Sequence, residues 1–150
     1  MTQHEMIQTV VNEFFARGLD PAVGCAIIQQ ESGWKADCRS PKSAEDEKYG
    51  GAYGLCQILP PTAKALGYEG PPEALFDPAL NIRLLADLTE SNARRFGHDP
   101  LDLFAAHNSG KPFNRAPWST VGMYVPSCQK HYVAWKRYLL EHPFQPASNS

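Results

Sequence analysis

The chain of 150 residues contains no apolar run approaching the roughly 18 residues that a membrane-spanning helix requires, which excludes an integral membrane segment. A strong charge of either sign is also missing. Fourteen Lys and Arg stand against 16 Asp and Glu, a net charge of −2, whereas a dedicated nucleic-acid binder presents a strongly basic domain. Cysteine is sparse: Cys25, Cys38, Cys56 and Cys128 form no C-x-x-C pair and fall at no Cys/His spacing of a zinc site, so neither a metal nor a cofactor is expected. The opening "MTQHEMIQTVVNEFF" lacks the basic stretch and cleavage site of a secretory signal, and the expectation is synthesis in the cytosol with four reduced thiols. Were the protein to work outside the cytosol, one or two disulfides would become available, and spacing does not choose among the three pairings of four cysteines. Internal repeats and low-complexity runs are absent.

What is present fits one globular domain over residues 1–150, with a core of about 5–141 and an extended or frayed tail, 142–150. At 43% hydrophobic and 20% charged, the chain can bury a sizeable core, and a monomer is expected. Residues 111–150 carry Lys111, Arg115, Lys130, Lys136 and Arg137 against Glu141 alone; this is either a solvated helix face or a surface toward an anionic polymer.

The punctuation predicts a mainly α fold. Ile7, Val10, Val11, Phe14 and Phe15 recur at helical spacing and stop at Gly18. Asp20-Pro21, Asp77-Pro78 and Asp99-Pro100 each place a capping carboxylate before a proline suited to the first helical position. The helices they open run to about Glu31, to about Phe96 with Leu80, Leu84, Leu85 and Leu88 inward, and through "PLDLFAAHN". A short helix is expected near Pro60, ending on Gly67, and a last one from Ser127. The polar, Gly-rich stretch 35–54 reads as a loop or short hairpin beside a cleft.

In this frame Glu31 is out of place. It follows Ile27 and Ile28 by four and three residues and so continues their inward stripe, in a last turn where the helix dipole disfavours a carboxylate. Both effects are expected to raise its pKa, as a general acid near neutral pH requires; the alternative is a surface Glu on a frayed turn.

Glu31-Ser32, then Gly54-Leu55-Cys56-Gln57-Ile58 with Pro61 to Ala63, then Ala106 to Gly110, then Tyr124-Val125-Pro126 follow one another in a fixed order. The set resembles the lytic transglycosylases, a branch of the lysozyme-like superfamily related to goose-type lysozymes, over roughly residues 20–135. Two positions depart from the family pattern. Cys56 stands for the methionine of G-L-M-Q, an exchange expected to alter only the shape of the cleft wall. His107 stands for the tyrosine of A-Y-N, and is either a substrate-binding residue or a satisfied buried histidine.

The resemblance implies a lysozyme-like fold and cleavage of peptidoglycan between N-acetylmuramic acid and N-acetylglucosamine. Glu31 serves first as acid and then as base, and a 1,6-anhydro product forms. Ser32, Cys56, Gln57, His107, Asn108 and Tyr124 are implied along the glycan. For Gln57 the alternative is a loop-bracing amide, for Asn108 a helix C-cap, and for Tyr124 a core aromatic. Trp34, Tyr49, Tyr53 and Trp118 offer rings against which saccharides pack. A goose-type hydrolase would need a second carboxylate roughly 6.5–9.5 Å from the acid, and Asp37, Glu45, Asp46 and Glu47 are its candidates. A non-catalytic glycan-binding module of the same fold is the remaining reading, although it would have had no need to keep the acid. The missing export signal points to a phage product that reaches the wall in the periplasm after release, or within a virion.

Overall fold

A computed structural model describes residues 1–40 and 46–146. Its helices are α1 (Gln3–Ala16), α2 (Pro21–Glu31), α3 (Pro60–Ala65), α4 (Pro78–Phe96), α5 (Pro100–Ser109) and α6 (Val125–Glu141). Their starts follow from side-chain chemistry. Thr2 and Glu5 close a reciprocal capping box on α1. Asp20, Asp77 and Asp99 accept from the backbone N–H groups of Ala22, Leu80 and Leu101 at 3.0, 3.0 and 2.9 Å, and the proline that follows each has no N–H to leave unpaired.

Seven successive residues of α2, Ala22 to Ile28, are buried, which makes it the central helix; α6, α1 and α5 pack around it. Gly24 permits the close approach of α1, since a Cβ there would lie 2.6 Å from the Phe14 ring. Arg17 ties the end of α1 to α4 through Asp87, at 2.9 Å. Among the described residues no helix is long and apolar enough to cross a membrane.

The stretch 35–54 holds a minimal hairpin. β1 (Arg39–Ser40) pairs antiparallel with β2 (Ala52–Tyr53), Arg39 opposite Tyr53 and Ser40 opposite Ala52, and a 3-10 turn (Asp46–Tyr49) lies between them. Behind β2, the wholly buried Asn81 of α4 accepts from the Cys56 N–H at 2.8 Å and donates to the carbonyls of Tyr53 and Leu75 at 2.9 and 2.8 Å. Gly54, at φ +78°, leaves room for that amide; a Cβ would meet Asn81 Nδ2 at 2.7 Å. One buried polar side chain thus anchors the hairpin to the helical body.

Several expectations are corrected. Phe15 is 62% exposed, because the inward face of α1 is completed by Met6 and closes at Phe14. The last helix begins at Val125, two residues before the expected Ser127, and continues directly from a π-helical segment, Thr120–Tyr124. Short 3-10 turns at Pro72–Phe76 and Phe113–Arg115 were not legible from periodicity. The tail carries no regular secondary structure at residues 143–146, in keeping with an extended segment, and it rests on α1: Gln8 Nε2 donates to the Gln145 carbonyl at 2.8 Å, and the Phe144 ring centre lies 4.9 Å from that of His4. Its residues 147–150 fall outside the described part.

Replacing Asn81 by Leu strips partners from one N–H and two carbonyls in the interior. It is expected to lower unfolding stability by about 3 kcal/mol, read as a lower urea midpoint at an unchanged m-value.

Candidate functional site

The carboxyl end of α2, the last turn of α5 and the segment entering α6 converge on Glu31. Its side chain is 9% exposed, and its Oε2 accepts the Tyr124 hydroxyl at 2.6 Å. His107, with a side chain 3% exposed, brings Nε2 to 3.5 Å from the same oxygen. Glu31 therefore does project inward, as its place on the Ile27 and Ile28 stripe predicts, and two residues distant in sequence meet it.

The π-helical segment explains how Tyr124 arrives there. A π turn widens the helix locally and re-aims the side chains that follow it. Thr120 opens the turn and donates to Asn108 Oδ1 at 2.7 Å, which fastens it to α5. Asn108 is thus a brace between two elements; the cap of α5 is Gly110, in the left-handed conformation at φ +75°. Burial raises the Tyr124 phenol well above its ordinary value, reinforced by the charge of Glu31 and by Cys128. One helical turn further, burial pushes the Cys128 thiol up to about 12; its hydrogen bond with Tyr124 pulls the other way and the charge of Glu31 adds to the rise. Cys128 and Thr120 were not anticipated as part of this cluster. The i, i+4 spacing from Tyr124 signals the former, whereas nothing in the sequence signals the latter.

The remaining expected residues fall behind or beside this cluster. Gln57 is 3% exposed at φ +52°; its Nε2 donates to the carbonyls of Cys38 and Gly54, and its Oε1 accepts from Ser40 at 2.5 Å. That is the geometry of a loop-bracing amide. Cys56 is wholly buried, so its sulfur packs beneath the cleft wall and does not form its surface. Ser32 caps α2 and turns its Oγ back to the Ile28 carbonyl at 3.4 Å. A cavity of about 360 Å³ is lined by Gln57, Ile58, Leu59, Thr62, Leu88, His107 and Asn108. Of the three clustered residues His107 alone lines this cavity, whereas a larger hollow of about 470 Å³ beside Lys64, Tyr68 and Glu69 is lined by none of them.

Of the four rings, Trp34 and Tyr53 are 8% and 5% exposed and pack on Trp135 and Phe76, while Trp118 is 75% exposed. Trp34 also holds a left-handed backbone, φ +71°, a conformation that costs a bulky residue roughly 1–2 kcal/mol and is fixed here by its Nε1–H bond to Gln29 at 3.0 Å. Asp37 and Glu47 are exposed. Glu45 and the side chains of Asp46 and Tyr49 lie outside the described residues. The basic carboxyl-terminal stretch is partly paired, Lys136 with Asp20 at 2.8 Å and Arg137 with Glu141 at 3.5 Å. Among the described residues no cluster of three His, Cys, Asp or Glu forms a metal site, and none of the four cysteines is joined in a disulfide.

A mainly helical body, a two-stranded flap and an acid at the carboxyl end of the central helix define a lysozyme-like transglycosylase architecture. The chain belongs to the Transglycosylase SLT domain family, whose pattern matches residues 13–122. It is 33% identical over 100 residues to a transglycosylase of Enterobacteria phage PRD1, covering 67% of this chain and 32% of that protein. The lytic transglycosylase Slt of Pseudomonas aeruginosa, solved as an inactive E503Q mutant, superposes with a TM-score of 0.69 at 25% identity, over 92% of this chain and 24% of that one. The 70 kDa soluble lytic transglycosylase of Escherichia coli gives a TM-score of 0.69 at 24% identity, over 93% and 24% of the two chains, a likeness of fold. The chain thus spans about a third of its phage relative and a quarter of these enzymes.

The raised Tyr124 phenol fixes a stability trend. An unfolded tyrosine ionises near pH 10, and the folded one resists, so stability is fully present below that pH and falls above it. Denaturant midpoints from pH 8 to 11 are expected to fall less steeply in Tyr124→Phe than in the parent chain.

Proposed function

We propose that this chain is a peptidoglycan lytic transglycosylase that cleaves the β-1,4 bond between N-acetylmuramic acid and N-acetylglucosamine. The observation that carries the reading is the buried Glu31 carboxyl held at one oxygen by the Tyr124 hydroxyl, in a member of the SLT family. With Oε2 accepting from Tyr124, this reading assigns the transferable proton to Oε1.

Glu31 donates that proton as the bond to the muramoyl C1 breaks, and the neighbouring 2-acetamido group stabilises the positive charge at C1. Glu31, now a carboxylate, takes the proton of the muramoyl C6 hydroxyl as its oxygen bonds to C1. The acid is regenerated, water is not consumed, and the product is a 1,6-anhydro sugar. Ser32, His107, Asn108 and Tyr124 border the glycan. Gln57 lines the cavity and, with the Cys56 N–H held by Asn81, braces the loop beside it. Similarity to the PRD1 transglycosylase supports a phage source, with the cell wall reached in the periplasm after release or from a virion.

Glu31→Gln is expected to keep the fold and to lose about 10³-fold or more in turnover of purified peptidoglycan; unchanged turnover in the folded variant excludes Glu31 as the acid. Mass spectrometry of the parent chain's products separates the two chemistries. Transglycosylation gives muropeptides lighter by the elements of one water and without a reducing end, whereas hydrolysis in heavy-oxygen water labels the anomeric carbon.

A further inference from the structure

The imidazole of His107 is buried, yet neither ring nitrogen has a hydrogen-bond partner among the described residues. Interior polar atoms are almost always paired, so a lone buried ring in a catalytic cluster calls for a chemical reason. Nε2 faces the Glu31 oxygen that already accepts from Tyr124, at 3.5 Å. A lone pair on Nε2 would oppose the lone pairs of that oxygen, whereas a hydrogen on Nε2 meets them. Contacts of this kind are commonly long in a ligand-free enzyme and tighten when the substrate is bound.

We propose that His107 is a positioning residue for Glu31: its Nε2–H joins the Tyr124 hydroxyl on Oε2, turns Oε1 toward the glycosidic oxygen and steadies the carboxylate that forms when the proton leaves. The proposal rests on the reading of Glu31 as acid and base. It assigns the histidine a task distinct from contact with the glycan. The other residues lining the cavity beside His107, namely Gln57, Ile58, Leu59, Thr62, Leu88 and Asn108, carry no charge. The titratable groups that face the pair from the segment entering α6 are Tyr124 and Cys128, and burial keeps both protonated in the acid and neutral range.

A donor on Oε2 favours the carboxylate over the acid, so its removal lets Glu31 keep its proton to higher pH. In His107→Phe, which preserves a ring and deletes both nitrogens, kcat on peptidoglycan is expected to fall about 10-fold or more with KM within about twofold, because an interaction that strengthens as charge develops has been lost. The alkaline limb of the pH profile is expected to move to higher pH, a readout that a merely structural role would not shift. A folded His107→Phe with the parent's alkaline limb overturns the proposal.

A second measurement needs no turnover. The ring resonances of His107, followed by NMR in the parent chain and in Glu31→Gln, are expected to differ, because the acceptor that faces Nε2 has lost its charge. A ring that does not respond to Glu31→Gln overturns the pairing. Coupling by NMR in a chain with no activity on peptidoglycan would leave the pair standing and sink the functional reading instead.

Discussion

A carboxylate on the last residue of a buried helix sits at the negative end of the dipole and has lost most of its water, so other elements must supply donors or the helix end cannot stay buried. In this protein the supply comes from α6, which runs antiparallel to α2 and holds it at both ends. At the carboxyl end Tyr124 donates to Glu31, and Ser127 donates to Gln30 Oε1 at 2.5 Å. At the amino end Tyr132 and Lys136 both reach Asp20 Oδ2, at 2.7 and 2.8 Å, while Asp20 caps the helix with its other oxygen. Burial pushes the Asp20 carboxyl up, and the bonds from Lys136, Tyr132 and the Ala22 N–H together bring it below its ordinary value. A single helix pair therefore sets the height of the acid, its orientation and the stability of the element that carries it.

The hairpin lobe is attached by a different device. Two strands of two residues each have little stability alone. Polar side chains directed at backbone groups replace the missing ladder: Asn81 from the helical body, and Gln57 from within the loop, joining the Cys38 and Gly54 carbonyls. The left-handed backbone at Gln57 and Trp34, which bracket this lobe, is the strain that such bonds hold in place. Gln57 both braces this loop and lines the cavity, while Cys56 lies wholly buried beneath it.

Much of the helical frame was legible because its signals are local. A capping Asp with a following Pro specifies a helix start within three residues, and the alternation of apolar positions in α4 needs no partner to be recognised. The inward direction of Glu31 was legible for the same reason, since three- and four-residue spacing from Ile28 and Ile27 fixes one face of a helix. The π turn before α6 was not, because it depends on how Thr120 meets Asn108 and how Gly122 lies beneath the Trp118 ring, contacts with no local signature.

The sequence by itself determined the helix starts, the face on which the acid lies and the order of the motif residues, all properties of near neighbours along the chain. Only the tertiary structure decided which motif residues meet. It brought Tyr124 and His107 to one oxygen of Glu31, made Gln57 a brace of the hairpin loop and buried Cys56 beneath it. It also enlisted Thr120 and Cys128, residues outside every motif, to fix the approach of Tyr124. The physical reason is that a side chain's partners are set by packing between elements far apart in sequence, where residue type alone does not say which donor will find which acceptor.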